Sequence, residues 1–213
     1  MTLVLAARGT ATDTSPYSSL QRWLVEHGGV VHPHLVICTS TTMTDPHKGA
    51  GLCVHPNLRF SRSPTPQPNK EEELIVVPQH LLITPSLAVR KCKTAAAVLR
   101  AWHLDQSPEI DPAYSHRKLT EIILALFLLE EEAKGSSSPF APYLAALPSR
   151  HELRQRLPVL WTVEEQTVSL GGSHMVDVLS TLRSNMVASY NNTVCPVAPE
   201  FCDRFSLGLI FFG

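Results

Sequence analysis

Eight consecutive apolar residues, Ile122 to Leu129, lie inside a stretch free of glycine and proline from Ser115 to Lys134. A helix that is apolar on every side has to be buried on most of them, so this segment obliges the chain to build a core around it. The run falls far short of the ~20 residues that span a bilayer as a helix. The pattern predicts a helix over 115–134, with Glu130, Glu131 and Glu132 marking a solvated end where it leaves the core. Gly135 to Ser138 breaks it.

The rest of the chain divides into two styles. Val30-Val31, Leu35 to Cys38, Leu52 to Val54 and Glu73 to Val77 are short, β-branched and bounded by turn residues, and read as strands. Pro78 stops the last of them, and Leu81 to Pro85 reads as short and extended. A first helix precedes the strands, with Ser18 or Ser19 as its cap, Leu20, Trp23 and Leu24 at helical spacing, and Gly28-Gly29 as a left-handed ending. After residue 85 helical patterns dominate: one over 87–103 capped by Thr84 or Ser86, the buried helix, a short one over 140–146, one from about Val163, one over 173–190 and a last turn near 200–205. Met175, Leu179, Leu182, Met186 and Tyr190 share a face of the penultimate helix. Residues 151–158 are polar, and 55–70 form a Pro- and Ser-rich surface loop. Strands followed by helices give an α+β fold class.

The 213 residues suit one large domain or one and a half small ones, and 44% hydrophobic content supports a sizeable core. The net charge of −1 offers nothing to attract nucleic acid by bulk charge. The five cysteines (Cys38, Cys53, Cys92, Cys195, Cys202) are odd in number and contain no CxxC pair. They read as reduced thiols in a cytoplasmic or nuclear protein, and Asn191-Asn192-Thr193 as a chance glycosylation match. No basic residue precedes the short apolar Leu3 to Ala7, so no signal peptide is expected. His32 and His34 share a strand face, but no third ligand is signalled, so no metal site is expected.

Four stretches in order carry a resemblance: LQRWLVEHGG (20–29), KGAGLCV (48–54), LIVVPQHLLIT (74–84) and LEEEAKGSSSPFAPYLAALPS (129–149). They resemble the SET-domain protein methyltransferases, in the branch that includes the Rubisco large-subunit lysine methyltransferase. The last stretch is the most specific, with Glu131, Gly135, Ser138, Phe140, Pro142, Tyr143, Leu144, Leu147 and Pro148 filling the family pattern. PVLWTVEEQTVSLGGSHM (158–175) is similar to the family's next helix.

The resemblance implies an S-adenosylmethionine-dependent protein-lysine N-methyltransferase. Lys48, Gly49, Ala50, Gly51 and Leu52 would form one wall of the cofactor site, where a Cβ on either glycine would block the approach of the ligand. Ser138, Phe140 and Tyr143 would lie near the substrate cleft. The partner implied is a protein with a lysine or similar side chain, not a nucleic acid or a membrane. Residues 1–16 would be a loose leader and 17–213 a partial SET domain. Within it, strands and the glycine turn occupy 17–86, a helical insert 87–206 and a divergent tail 207–213, so the sheet core is expected to be incomplete. The family's later Asn-His motif and catalytic tyrosine have no counterpart here: there is no Asn-His dipeptide, and no tyrosine after Tyr190. No catalytic residue is therefore assigned, and the chain is expected to be an inactive fragment of the enzyme. The alternative is a non-catalytic SET-derived protein-interaction fragment. Local readings compete at single positions: the glycines as a plain turn, Ser138 as a helix cap, Tyr143 as core.

Overall fold

The computed structural model describes residues 15–38, 51–54, 73–104 and 112–205. The chain is α+β and mostly helical, with two antiparallel strand pairs. It forms two compact units, residues 1–82 and 83–213.

The first unit opens with α1 (Pro16–Glu26). Its cap is Ser15 rather than Ser18 or Ser19: the Ser15 hydroxyl accepts from the Tyr17 N–H at 3.3 Å, and Pro16 takes the first helical position. Proline fits there because that N–H has no helical partner to lose. Gly28, at φ 85°, ends the helix in the left-handed region as the sequence suggests. β1 (Val30–Val31) pairs with β4 (Ile75–Val76), and β2 (Leu35–Cys38) pairs with β3 (Gly51–Val54). The register sets Val30 opposite Val76 and Cys38 opposite Gly51. β4 is shorter than the expected 73–77 strand; of the stretch expected to be extended, Leu81 closes a 3-10 turn (Gln79–Leu81) and Pro85 opens a helix, while Leu82 and Thr84 between them are extended. Among this unit's described apolar side chains only Leu81 is buried, while Val25, Val30, Leu52, Leu74, Ile75 and Val77 are exposed.

The second unit is helical. Thr84 caps α2 (Pro85–Lys91) through the Leu87 N–H at 3.2 Å. The single helix expected over 87–103 is in fact two. Cys92 turns extended (φ −110°, ψ 114°) between α2 and α3 (Lys93–Leu104), and its sulfur accepts from the Ala95 N–H at 3.1 Å, capping the new helix. α4 (Pro112–Ala133) packs on both. It buries Leu119, Ile123, Leu126, Phe127 and Glu131 on one stripe against Ala88, Ala95 and Val98, which are themselves buried. The neighbouring Ile122, Leu124, Leu128 and Leu129 are half-buried, so the burial is one-sided rather than all round.

α5 (Ala141–Ala146), α6 (Arg150–Arg156), α7 (Val163–Leu170), α8 (Met175–Ser189) and α9 (Pro199–Arg204) complete the unit. α6 occupies the segment that reads only as polar. Its start is a reciprocal capping box, Ser149 with Glu152, and Thr162 with Glu165 repeats the device on α7. The backbone N–H and hydroxyl of Ser149 hold the Glu152 carboxyl below its ordinary range, and the Thr162 N–H does the same for Glu165.

Gly171 ends α7 where a Cβ would stand 2.3 Å from the Thr167 carbonyl oxygen. Gly171→Ala therefore forces the helix end to move. The expected loss of about 1–3 kcal/mol is read as a lower urea midpoint with an unchanged slope.

Candidate functional sites in the two units

Of the five residues assigned to the cofactor wall, Lys48, Gly49 and Ala50 lie outside the described residues. Gly51 and Leu52 open β3, paired with Cys38 and Ile37. Both are exposed, and a Cβ built on Gly51 meets nothing within 4 Å. Among the described residues, none therefore demands glycine at this position. The strand unit also carries an open groove of ≈ 430 Å³ where Ser18, Gln21, Arg22 and Val25 of α1 face Val31 and Leu35.

In the helical unit the structure brings the motif residues together around a buried carboxylate. Glu131 is only 2% exposed, against the expectation of a solvated helix end. The reason is positional, since Glu131 follows Phe127 by one turn and so continues the stripe that faces the core. Its Oε2 accepts from the Ser138 hydroxyl at 2.5 Å, and its Oε1 pairs with the Lys134 ammonium. Ser138 Oγ in turn accepts from the Phe140 N–H at 3.1 Å. Gly135, at φ 56°, makes the reversal that folds residues 135–138 back onto α4. Phe140 then meets Phe127 edge-on, with ring centroids 5.6 Å apart, and Pro142 sits in the first turn of α5.

These contacts define Glu131, Gly135, Ser138 and Phe140 as one clamp between α4 and α5. Ser138 and Phe140 are 4% and 7% exposed, and the serine hydroxyl both donates and accepts within the clamp. Tyr143, on α5, is half-buried and retains reachable surface.

The polar cluster continues to the α2–α3 break. Glu130 accepts from the Thr94 hydroxyl at 2.9 Å. Burial pushes the Cys92 thiol up to about 11, with the nearby Glu130 carboxylate adding to the shift. Cys92 is therefore a buried, protonated thiol rather than a nucleophile at neutral pH.

α6 and α7 form an open cleft of ≈ 600 Å³ lined by His151, Arg154, Gln155, Trp161, Glu165 and Ser169. Trp161 Nε1 donates to the Arg154 carbonyl at 2.7 Å, and Arg154 pairs with Glu165 at 3.4 Å. Arg183 of α8 ties the floor by donating to the carbonyls of Val159 (2.6 Å) and Trp161 (2.7 Å). This cleft was not foreseen from the sequence; Ser149-x-x-Glu152 and Thr162-x-x-Glu165 are the signals that would have located its helices.

The five-thiol reading is corrected. Cys195 and Cys202 form a disulfide with Cα atoms 5.6 Å apart, and Cys53 is also disulfide-bonded. Cys92 is free and buried. The chain turn after α8 brings Cys195 and Cys202 together, a closure that their sequence spacing does not reveal.

Among the described residues no three His, Cys, Asp or Glu side chains are grouped to hold a metal ion. No described helix is long and apolar enough to cross a membrane. No protein family, curated protein or solved structure matches the chain.

Proposed function

We propose that this chain belongs to the SET-domain protein methyltransferases and that its strand unit presents a remnant of their S-adenosylmethionine site. The observation that carries the reading is the α4–α5 clamp. The residues that resemble the family pattern at 131, 135, 138 and 140 each have a distinct structural task, so the pattern is a coherent packing unit rather than a scatter of matches. Gly51 supports the cofactor side, because it is exposed at the start of β3 and no described residue lies within 4 Å of a Cβ built on it. The exposed apolar side chains of the strand unit support an incomplete sheet core.

When bound, S-adenosylmethionine would supply an electrophilic methyl group for the neutral lysine amine of a protein substrate. Such a transfer depends chiefly on alignment and exclusion of water. In this chain, the glycine turn at 48–52 would receive the cofactor's methionine and ribose end. Ser138 and Phe140 would fix α5 from beneath, leaving Tyr143 as the reachable member of the cleft set. With no Asn-His pair and no tyrosine after Tyr190, this chain alone is expected to bind the cofactor weakly and to turn over no substrate.

Calorimetric titration of S-adenosylmethionine into the full chain tests the reading. Binding in the millimolar range, weakened ~10-fold or about 1.4 kcal/mol by Gly51→Val with the circular dichroism unchanged, is expected. No binding, or equal binding by both proteins, overturns it.

A non-catalytic interaction role is the second reading. It is favoured by Met175, Val178, Leu182 and Met186, which form an apolar row along α8 that is 41–47% exposed.

A further inference from the structure

The corner after α8 is built differently from the rest of the helical unit. α8 widens into a π-turn over Tyr190–Val194, closed by the Cys195 N–H donating to the Tyr190 carbonyl at 3.2 Å. The turn packs on α3. Val194, Ala198 and Phe201 are buried at 1%, 2% and 4% exposure. α9 has only six residues, too few to persist as an isolated helix. Three local ties hold it: the burial of Phe201, the Tyr190 hydroxyl donating to the Phe205 carbonyl at 2.7 Å, and the Cys195–Cys202 disulfide.

The cross-link spans only seven residues and joins no distant elements. Phe127, Val98 and Leu126 are buried in the core where α2, α3 and α4 pack on one another. Both sulfur-bearing residues are half-buried rather than sealed in, so a small thiol can reach them.

We propose that Cys195–Cys202 is a redox latch on α9, whose reduction frees the short helix and uncovers the apolar surface of Val194, Ala198 and Phe201 while the α2–α3–α4 core stays folded. A dithiol is the reductant. One of its thiolates attacks a sulfur of the pair and the other cysteine leaves as a thiolate. The second reductant thiol then resolves the mixed disulfide. Two electrons pass, two cysteine thiols form, and the dithiol ends as its own disulfide. Closing a loop of this length shifts the opening equilibrium by roughly 50-fold by chain entropy. α9 therefore opens locally once the bond is cut.

The test is amide hydrogen exchange on the full chain, oxidised and then reduced in place with dithiothreitol, with thiols counted by alkylation and mass. The Phe201, Cys202 and Phe205 amides, which donate to Ala198, Ala198 and Phe201, are the reporters. Reduction should speed their exchange roughly 50-fold and leave the α4 amides unchanged. The Cys195→Ser/Cys202→Ser double variant should match the reduced protein under both conditions. Unchanged exchange at the reporters overturns the latch. Equal acceleration at α4 also overturns it, since the bond would then be a general cross-link. Full alkylation of both cysteines in protein equilibrated with oxidised glutathione overturns the pairing itself.

Discussion

Phe127→Ala should destabilise the helical unit by about 3–5 kcal/mol, the range for emptying a large aromatic side chain from a core. Phe127 is fully buried, at 0% exposure. It sits midway along the α4 stripe, and its ring is the surface on which Phe140 rests edge-on. Removing it thus opens a cavity and withdraws the aromatic partner of the α5 start, a contact that adds about 0.5–1.5 kcal/mol beyond area. Urea unfolding followed by far-UV circular dichroism reads the loss as a lower midpoint at constant slope. Val168→Ala is the control: Val168 is 86% exposed, and a change within ~0.5 kcal/mol is expected for such a surface site. Comparable losses for the two variants would mean that the α4 stripe is not the core.

Glu131→Ala should cost about 2–3 kcal/mol, because it removes a buried charged acceptor and strands its donors. The Ser138 hydroxyl loses the carboxylate, and Lys134 loses its partner at the clamp. Lys134 is 44% exposed, so its share is small and the serine bond dominates. Glu131→Gln keeps an acceptor of the same shape and should cost only about 1 kcal/mol. Pairing each change with Ser138→Ala isolates the contact. Residues sharing one hydrogen bond couple by ~0.5–3 kcal/mol, whereas independent sites add. Additive losses in that cycle would show that the clamp does not act as a unit.

The elements that sequence reasoning reached are those governed by local rules. The apolar run at 122–129, the β-branched strands at 30–31 and 35–38, the Thr84 cap and the Gly28 ending all follow from periodicity, propensity or a short side chain bonding its own backbone. The misses involve partners distant in sequence or a tertiary turn. Glu131 reads as solvated because three glutamates in a row look like a surface. Only its spacing from Phe127 marks it as core, and the Ser138 hydroxyl and the Lys134 ammonium offset the cost of that burial. Cys92 breaks a pattern that is helical by composition because its sulfur replaces a helix donor's usual partner. α6 has no apolar periodicity, and its start was written in the Ser149–Glu152 box alone. The Cys195–Cys202 pair depends on a π-turn for which spacing gives no cue. Of the proposed cofactor wall, the structure describes Gly51 and Leu52 as the exposed start of β3.

The most direct measurement of the methyltransferase reading is photo-crosslinking of radiolabelled S-adenosylmethionine to the full chain at millimolar cofactor, with the labelled peptide identified by mass. The account predicts label within residues 48–54, at the glycine turn and β3, and its loss on competition with unlabelled cofactor. Label confined to residues 83–205, or no competable label at all, would contradict it.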